Sequence, residues 1–249
     1  MMGLDAIRVR AVVRKELLDY RRKRAIVVSM IIFPVLFLVE PIVSIFLASP
    51  SESGPALDKY VVLPLLYMLL ISVVTPSTLA AYSVVGEREQ GTLEPLLTTP
   101  LREQEFIFGK AAAVMIPTLI ISYVVYGLFL AAVALFAHAD MARAVFHNGP
   151  VLLALFLFAP LVAGWAIVVG MAVSVRASEV RVAQQLGMLA SFPMIGVILL
   201  LAVGVIHPTF AVALEFAVGI LAIDLLALRI VARMFNRERL VTGAKATGS

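Results

Sequence analysis

Six long apolar runs dominate the chain, near residues 25–47, 61–85, 112–136, 151–175, 185–206 and 210–232. At about 1.5 Å of rise per residue, about 20 helical residues cross the roughly 30 Å of a bilayer's hydrocarbon. The pattern therefore predicts an all-α membrane protein with six transmembrane helices, forming a single transmembrane domain over 1–249. The last two runs are separated only by His207-Pro208-Thr209, which demands a tight hairpin. Prolines 34, 64, 76, 117, 160 and 193 fall inside the runs and are expected to kink them. In the fourth run, Ala166-x₃-Gly170-x₃-Ser174 forms a small-residue ladder that lets another helix approach closely, within the bundle or across a dimer seam.

Two polar stretches interrupt this pattern with periodicity of their own. Over 1–24, Val9, Val12, Val13, Leu17 and Tyr20 share one face of a helix. Arg10, Arg14 and Arg21 flank one side of that face, and Arg8, Lys15 and Arg22 flank the other. That arrangement predicts an amphipathic helix lying in the interface of an anionic leaflet. Ile7, Ala11 and Leu18 fall on the opposite side.

The second stretch, 86–110, holds five of the chain's sixteen acids between Glu87 and Glu105. Gly91 can end the preceding helix. Thr92 can cap a new one, with Glu94 in its first turn. Leu93, Leu96 and Leu97 recur at i, i+3 and i+4, and Thr99-Pro100 has the form of a second cap. The expectation is a short amphipathic helix between spans two and three, whose apolar face a cytosolic protein partner would cover. The other reading is a solvated loop whose acids pair with Arg88, Arg102 and Lys110.

Charge sets the orientation. With both termini in the cytosol, eighteen of the twenty Lys and Arg lie on that side, and only Lys59 and Arg143 lie outside. The tail 233–249 is then cytosolic. The chain is 62% hydrophobic and 14% charged, far from a soluble domain's balance. Its net charge of +4 belongs to membrane orientation, not to nucleic acid. The absence of cysteine excludes disulfides, thiolate metal sites and cysteine nucleophiles.

Little catalytic chemistry can be assembled. Gly109-Lys110 is followed by alanine and lacks the earlier glycine of a phosphate-cradling Walker A loop. His138, His147 and His207 sit at or beyond outer membrane edges, and no catalytic or metal set can be built from them. Three acids lie within apolar runs, Glu40, Glu215 and Asp224, and each is a candidate for the translocation path because buried charge is costly. Glu215 and Asp224 are nine residues apart, about half a turn around a helix, so they do not share one site. Glu40 and Glu215 lie at similar depth and could face a common cavity. Trp165 falls mid-span, where packing is its expected use.

The order Glu87-Arg88-Glu89-x-Gly91-Thr92-Leu93-Glu94-x-Leu96-Leu97, then Thr99-Pro100 and Gly109-Lys110, resembles the ABC-2 type transporter permeases. Weaker echoes are Ala183-Gln184 with Pro193, and Phe235-x-Arg237-Glu238-Arg239-Leu240. The resemblance implies the permease subunit of an ATP-driven exporter, without an ATPase site of its own. It implies that the 86–110 loop carries a coupling helix contacting a separate ATP-binding subunit, which would hold ATP and Mg. It also implies a second permease subunit, identical or different, in a cell membrane. Substrate is not specified. An ion-coupled secondary carrier using the membrane acids, and a non-transporting scaffold, are the competing classes.

Overall fold

The computed structural model describes residues 5–47, 55–92, 101–202 and 210–234. Nine helices occupy them: α1 (Ala6–Arg22), α2 (Arg24–Leu47), α3 (Pro55–Tyr67), α4 (Leu69–Glu89), α5 (Glu103–Phe136), α6 (Ala139–His147), α7 (Gly149–Arg176), α8 (Val180–Ala202) and α9 (Phe210–Met234). No strand occurs among the described residues.

Five stretches are long and apolar enough to cross a membrane: Ile26–Leu47, Tyr60–Glu89, Glu103–Phe136, Val151–Arg176 and Val180–Leu200. The sixth apolar run forms α9, 25 residues long, which carries Glu215, Asp224, Arg229 and Arg233. The His207-Pro208-Thr209 hairpin lies outside the described residues.

The second span is two helices meeting at Met68. Its carbonyl accepts hydrogen bonds from the backbone of Ile71 (3.1 Å) and the hydroxyl of Tyr126 on α5 (3.2 Å). Tyr126 also meets Ser72, which donates to Ser122, so the irregular turn is stitched to α5 by hydroxyls. Proline inside α7 is handled similarly. Pro160 offers no N–H to the Phe156 carbonyl, and that oxygen accepts instead from Tyr123 at 3.1 Å.

Packing is centred on α4, which is enclosed almost throughout by α7, α8 and α5. The small-residue ladder serves this packing. A Cβ at Gly170 would stand 2.7 Å from that of Ala80. Ser174 accepts from the amides of Val84 and Val85 at 3.0 Å and donates to the Ala81 carbonyl. By contrast α2 lies at the edge, with Ile31, Ile32, Val35, Leu36 and Val39 exposed, as a lipid-facing helix requires.

Two boundaries differ from the hydropathy reading. α4 continues to Glu89 and α5 starts at Glu103, so the 86–110 connection contracts to residues 90–102. These extensions are polar yet helical because their charges pair with one another and with α1. The segment 137–150, between the third and fourth apolar runs, contains α6, which buries Met141 and Val145 and packs on α3.

Candidate functional site: a charged junction under the bundle

α1 begins at Asp5, whose side chain accepts from the Ile7 amide at 2.9 Å as an N-cap. Its Val12, Glu16 and Tyr20 are buried, and Val9, Val13 and Leu17 are half-buried. The expected apolar face therefore turns towards the protein, chiefly α5, while Arg10, Arg14, Arg21, Ile7, Ala11 and Leu18 are exposed. Glycine permits this seat: a Cβ at Gly109 would stand 2.7 Å from Val12 Cβ. The start of α1 is pinned separately. Glu105, fully enclosed, accepts from the amides of Arg102 (2.9 Å) and Asp5 (3.1 Å) and lies 3.5 Å from Arg8.

Beside Gly109, Lys110 is 1% exposed and donates to Glu16 Oε1 at 2.9 Å and Glu87 Oε1 at 3.0 Å. Lys15 reaches the same two carboxylates and also Asp19, the last at 3.3 Å. Glu87 accepts further from the Thr92 hydroxyl. Burial would lower the Lys15 ammonium, but its hydrogen bond to Glu87 and the charges of Glu16 and Glu87 hold it above the usual lysine range. Burial also raises the Tyr20 phenol, reinforced by Glu16, Glu87 and Asp19. One knot thus joins α1, α4 and α5.

The neighbours of Glu87 point elsewhere. Arg88 donates to the carbonyls of Ala177 (3.0 Å) and Val175 (3.3 Å), where the C-terminus of α7 presents unpaired oxygens. Glu89 accepts from the Val180 amide at 2.9 Å, at the N-terminus of α8. Three successive side chains therefore tie the end of α4 to α1 and α5, to α7, and to α8. The helix then closes with Gly91 at φ 66°; the Thr92 amide bonds the Glu87 carbonyl (3.0 Å) and the Gly91 amide bonds that of Arg88 (3.1 Å), a Schellman closure. Gln90 accepts from Lys23, fastening the end of α1 here too.

Of the residues expected to contact a partner, Glu87 is 7% exposed and committed inward, whereas Arg88, Glu89, Gly91 and Thr92 are exposed at the surface. Leu93, Glu94, Leu96, Leu97 and the Thr99-Pro100 cap lie outside the described residues; the cap of α5 itself is Arg102.

The three membrane acids occupy separate surroundings. Glu40 accepts from Ser44 at 2.7 Å on its own helix, and its Oε2 is buried without a partner. Asp224 is buried against α7, where a Cβ at Gly164 would stand 2.5 Å from its Oδ2, and its Oδ1 is unpartnered. Glu215 is exposed in a groove between α7, α8 and α9. The described lining of that groove includes Glu215 and Trp165 but not Glu40.

A family model described as "ABC-2 family transporter protein" matches residues 10–238. The chain belongs to the ABC-2 transporter family. Among curated proteins no match was found. As a member of this family it is a multi-pass membrane permease, and the family implies partnership with an ABC ATP-binding subunit. The match takes in the cluster of Lys15, Glu16, Glu87 and Lys110 and every span described above. Within the ABC-2 signature, Gly109-Lys110 acquires a physical reason: the glycine admits α1, and the lysine neutralises Glu16 and Glu87. Sequence reasoning overlooked Glu16 and read Lys15 only as a charge flanking the apolar face. Glu16 nevertheless stood out in principle, as a carboxylate in the middle of α1's apolar face at the spacing Val9, Val12, Val13, Glu16, Leu17, Tyr20.

Proposed function

We propose that the chain is the membrane half of an ATP-driven exporter, working as a dimer of permease subunits with both termini cytosolic and α9 as a sixth span. The 90–102 connection is its contact with the ATP-binding subunit, which carries ATP and Mg. The observation that supports this reading is the clamp Glu87-Arg88-Glu89 immediately before that connection. A displacement of the connection would reach α1, α5, α7 and α8 together, because each is bonded to one of three consecutive residues. α1, whose exposed face carries Arg10, Arg14 and Arg21, rests at an anionic leaflet beside this junction. Arg88, Glu89 and Gly91 frame the contact, while Glu87 positions it from within.

The test is Leu96→Asp. If the Leu93, Leu96 and Leu97 face is docked in a groove of the ATPase, burying a leucine contributes about 1.5–3 kcal/mol. Its replacement by aspartate should then weaken ATPase binding by about tenfold or more, with membrane insertion unchanged. Co-purification and ATP-driven transport read the effect; retention of both by Leu96→Asp would refute the docking role.

An ion-coupled carrier is the second reading, supported by the unpartnered buried oxygens of Asp224 and Glu40. Transport that follows an imposed proton gradient without any ATPase would favour it.

A further inference from the structure

The groove between α7, α8 and α9 has a volume of about 460 Å³. That size lies within the roughly 300–1,000 Å³ of small-molecule sites. Trp165, Met194, Val197, Phe216 and Ile220 make its wall almost wholly apolar. The exception is Glu215. Its side chain is exposed, makes no hydrogen bond or ion pair among the described residues, and shares the described lining with no Lys, Arg or His. Gly219 widens the floor, since a Cβ there would meet no atom within 4 Å.

We infer that this groove binds an amphiphile bearing an ammonium group, with the cation at Glu215 and the apolar chain along Trp165, Met194 and Phe216. The chemistry selects that class over its neighbours. An anionic amphiphile would set like charge beside Glu215, with no cationic side chain in the described lining to compensate. A neutral hydrocarbon would bury the carboxyl group without a partner, which is costly in an apolar setting. An ammonium supplies both hydrogen bonds and charge. An aminophospholipid of the bilayer and a free lipophilic amine present the same chemistry. The site goes beyond the exporter reading and stands without it, because binding requires neither the ATPase nor transport.

Trp165 is the chain's one tryptophan, so its emission reports on the groove alone. The full chain, purified in a non-ionic maltoside detergent, is titrated with a primary alkylammonium and an alkyl sulfate of equal length. Each is brominated at the chain end to quench the indole on contact. The ammonium compound should quench at about tenfold lower concentration than the sulfate, a preference worth one charge pair. Glu215→Gln should abolish the preference while leaving quenching by the sulfate unchanged. Gly219→Phe, whose ring would occupy the open floor, should abolish quenching by both, with helix content and melting temperature preserved. In nanodiscs, bromoacyl phosphatidylethanolamine is compared with bromoacyl phosphatidylglycerol. A Glu215-dependent preference for the former identifies a bilayer lipid as occupant, and its absence beside a positive detergent result identifies a free amine. Equal quenching by ammonium and sulfate, an undiminished preference in Glu215→Gln, or quenching that survives Gly219→Phe would each overturn the assignment. So would quenching by neither compound, which would leave the groove to a second copy of the chain.

Discussion

Lys110→Met removes the enclosed cation that joins α1 to α4 and α5. Glu16 and Glu87, 5% and 7% exposed, would then share a site with like charge facing like. Removing one partner from a buried ion pair costs about 3–5 kcal/mol. Lys15 recovers part of this, since it touches both carboxylates, but its side chain is 41% exposed and so better screened. A net loss of about 2–3 kcal/mol remains. It falls on the docking of α1, because α1 contributes Glu16 while its partners Glu87 and Lys110 sit on other helices. At about 1.4 kcal/mol per factor of ten, the undocked fraction should rise by roughly 30- to 150-fold.

The cysteine-free chain makes this measurable. Val12, 6% exposed and seated over Gly109, is replaced by cysteine and labelled with a maleimide in membrane vesicles, at reagent levels where labelling is slower than redocking. The Lys110→Met background should accelerate labelling by that factor. Combining Lys110→Met with Glu87→Gln should cost less than the sum of the two by about 1–3 kcal/mol, because the partners are in direct contact. Labelling accelerated less than threefold, or strict additivity, would refute the view that this ion cluster holds α1 in place.

Two further outcomes follow from packing and charge. Gly170→Val forces a side chain into the 2.7 Å approach to Ala80 and should destabilise the solubilised chain by about 1–3 kcal/mol, whereas Gly219→Ala, in open space, should change it by less than about 0.5 kcal/mol; equal effects in thermal unfolding would contradict the close α4–α7 contact. Single cysteines at Ser51, Asn148, Ser178 and Thr247, treated in intact cells with a membrane-impermeant thiol reagent, should label at the first two only, and labelling at Thr247 would overturn the cytosolic placement of the termini.

Much of the helical architecture was legible because a span announces itself by length and apolarity alone. Which face of a span is buried was not. In α4 almost every position is apolar or small, so no stripe marks the side that meets α7, and its central place follows only from packing. α1 shows the opposite case: its face was readable from Val9, Val12, Val13, Leu17 and Tyr20. The partner covering that face was not, because Gly109 and Lys110 stand some ninety residues away and only three-dimensional packing brings them beneath Val12 and Glu16. The same distance hid the roles of Arg88 and Glu89, whose bonds run to residues 175–180. Residues 86–89 and 103–110 read as loop for a related reason. Polar side chains suggest solvent, yet here they belong to helix ends whose charges are satisfied by one another.

The three consecutive bonds of Glu87, Arg88 and Glu89 also constrain how the junction and the groove can communicate. Successive residues of a helix point about 100° apart, so three of them sweep some 200° and meet neighbours on different sides. A shift of the end of α4 therefore cannot be absorbed by one side chain changing rotamer; it moves the short 177–179 turn that Arg88 and Glu89 hold from either end. That turn joins α7 to α8, and those two helices form two walls of the groove at Trp165 and Met194. If docking at the 90–102 connection displaces the turn, occupancy of the groove must bias docking by the same factor, since coupling between two binding events is reciprocal. Measuring either affinity in the presence and absence of the other ligand decides it: a factor different from one shows that the turn couples the two sites, and a factor of one means that α7 and α8 move as a rigid pair.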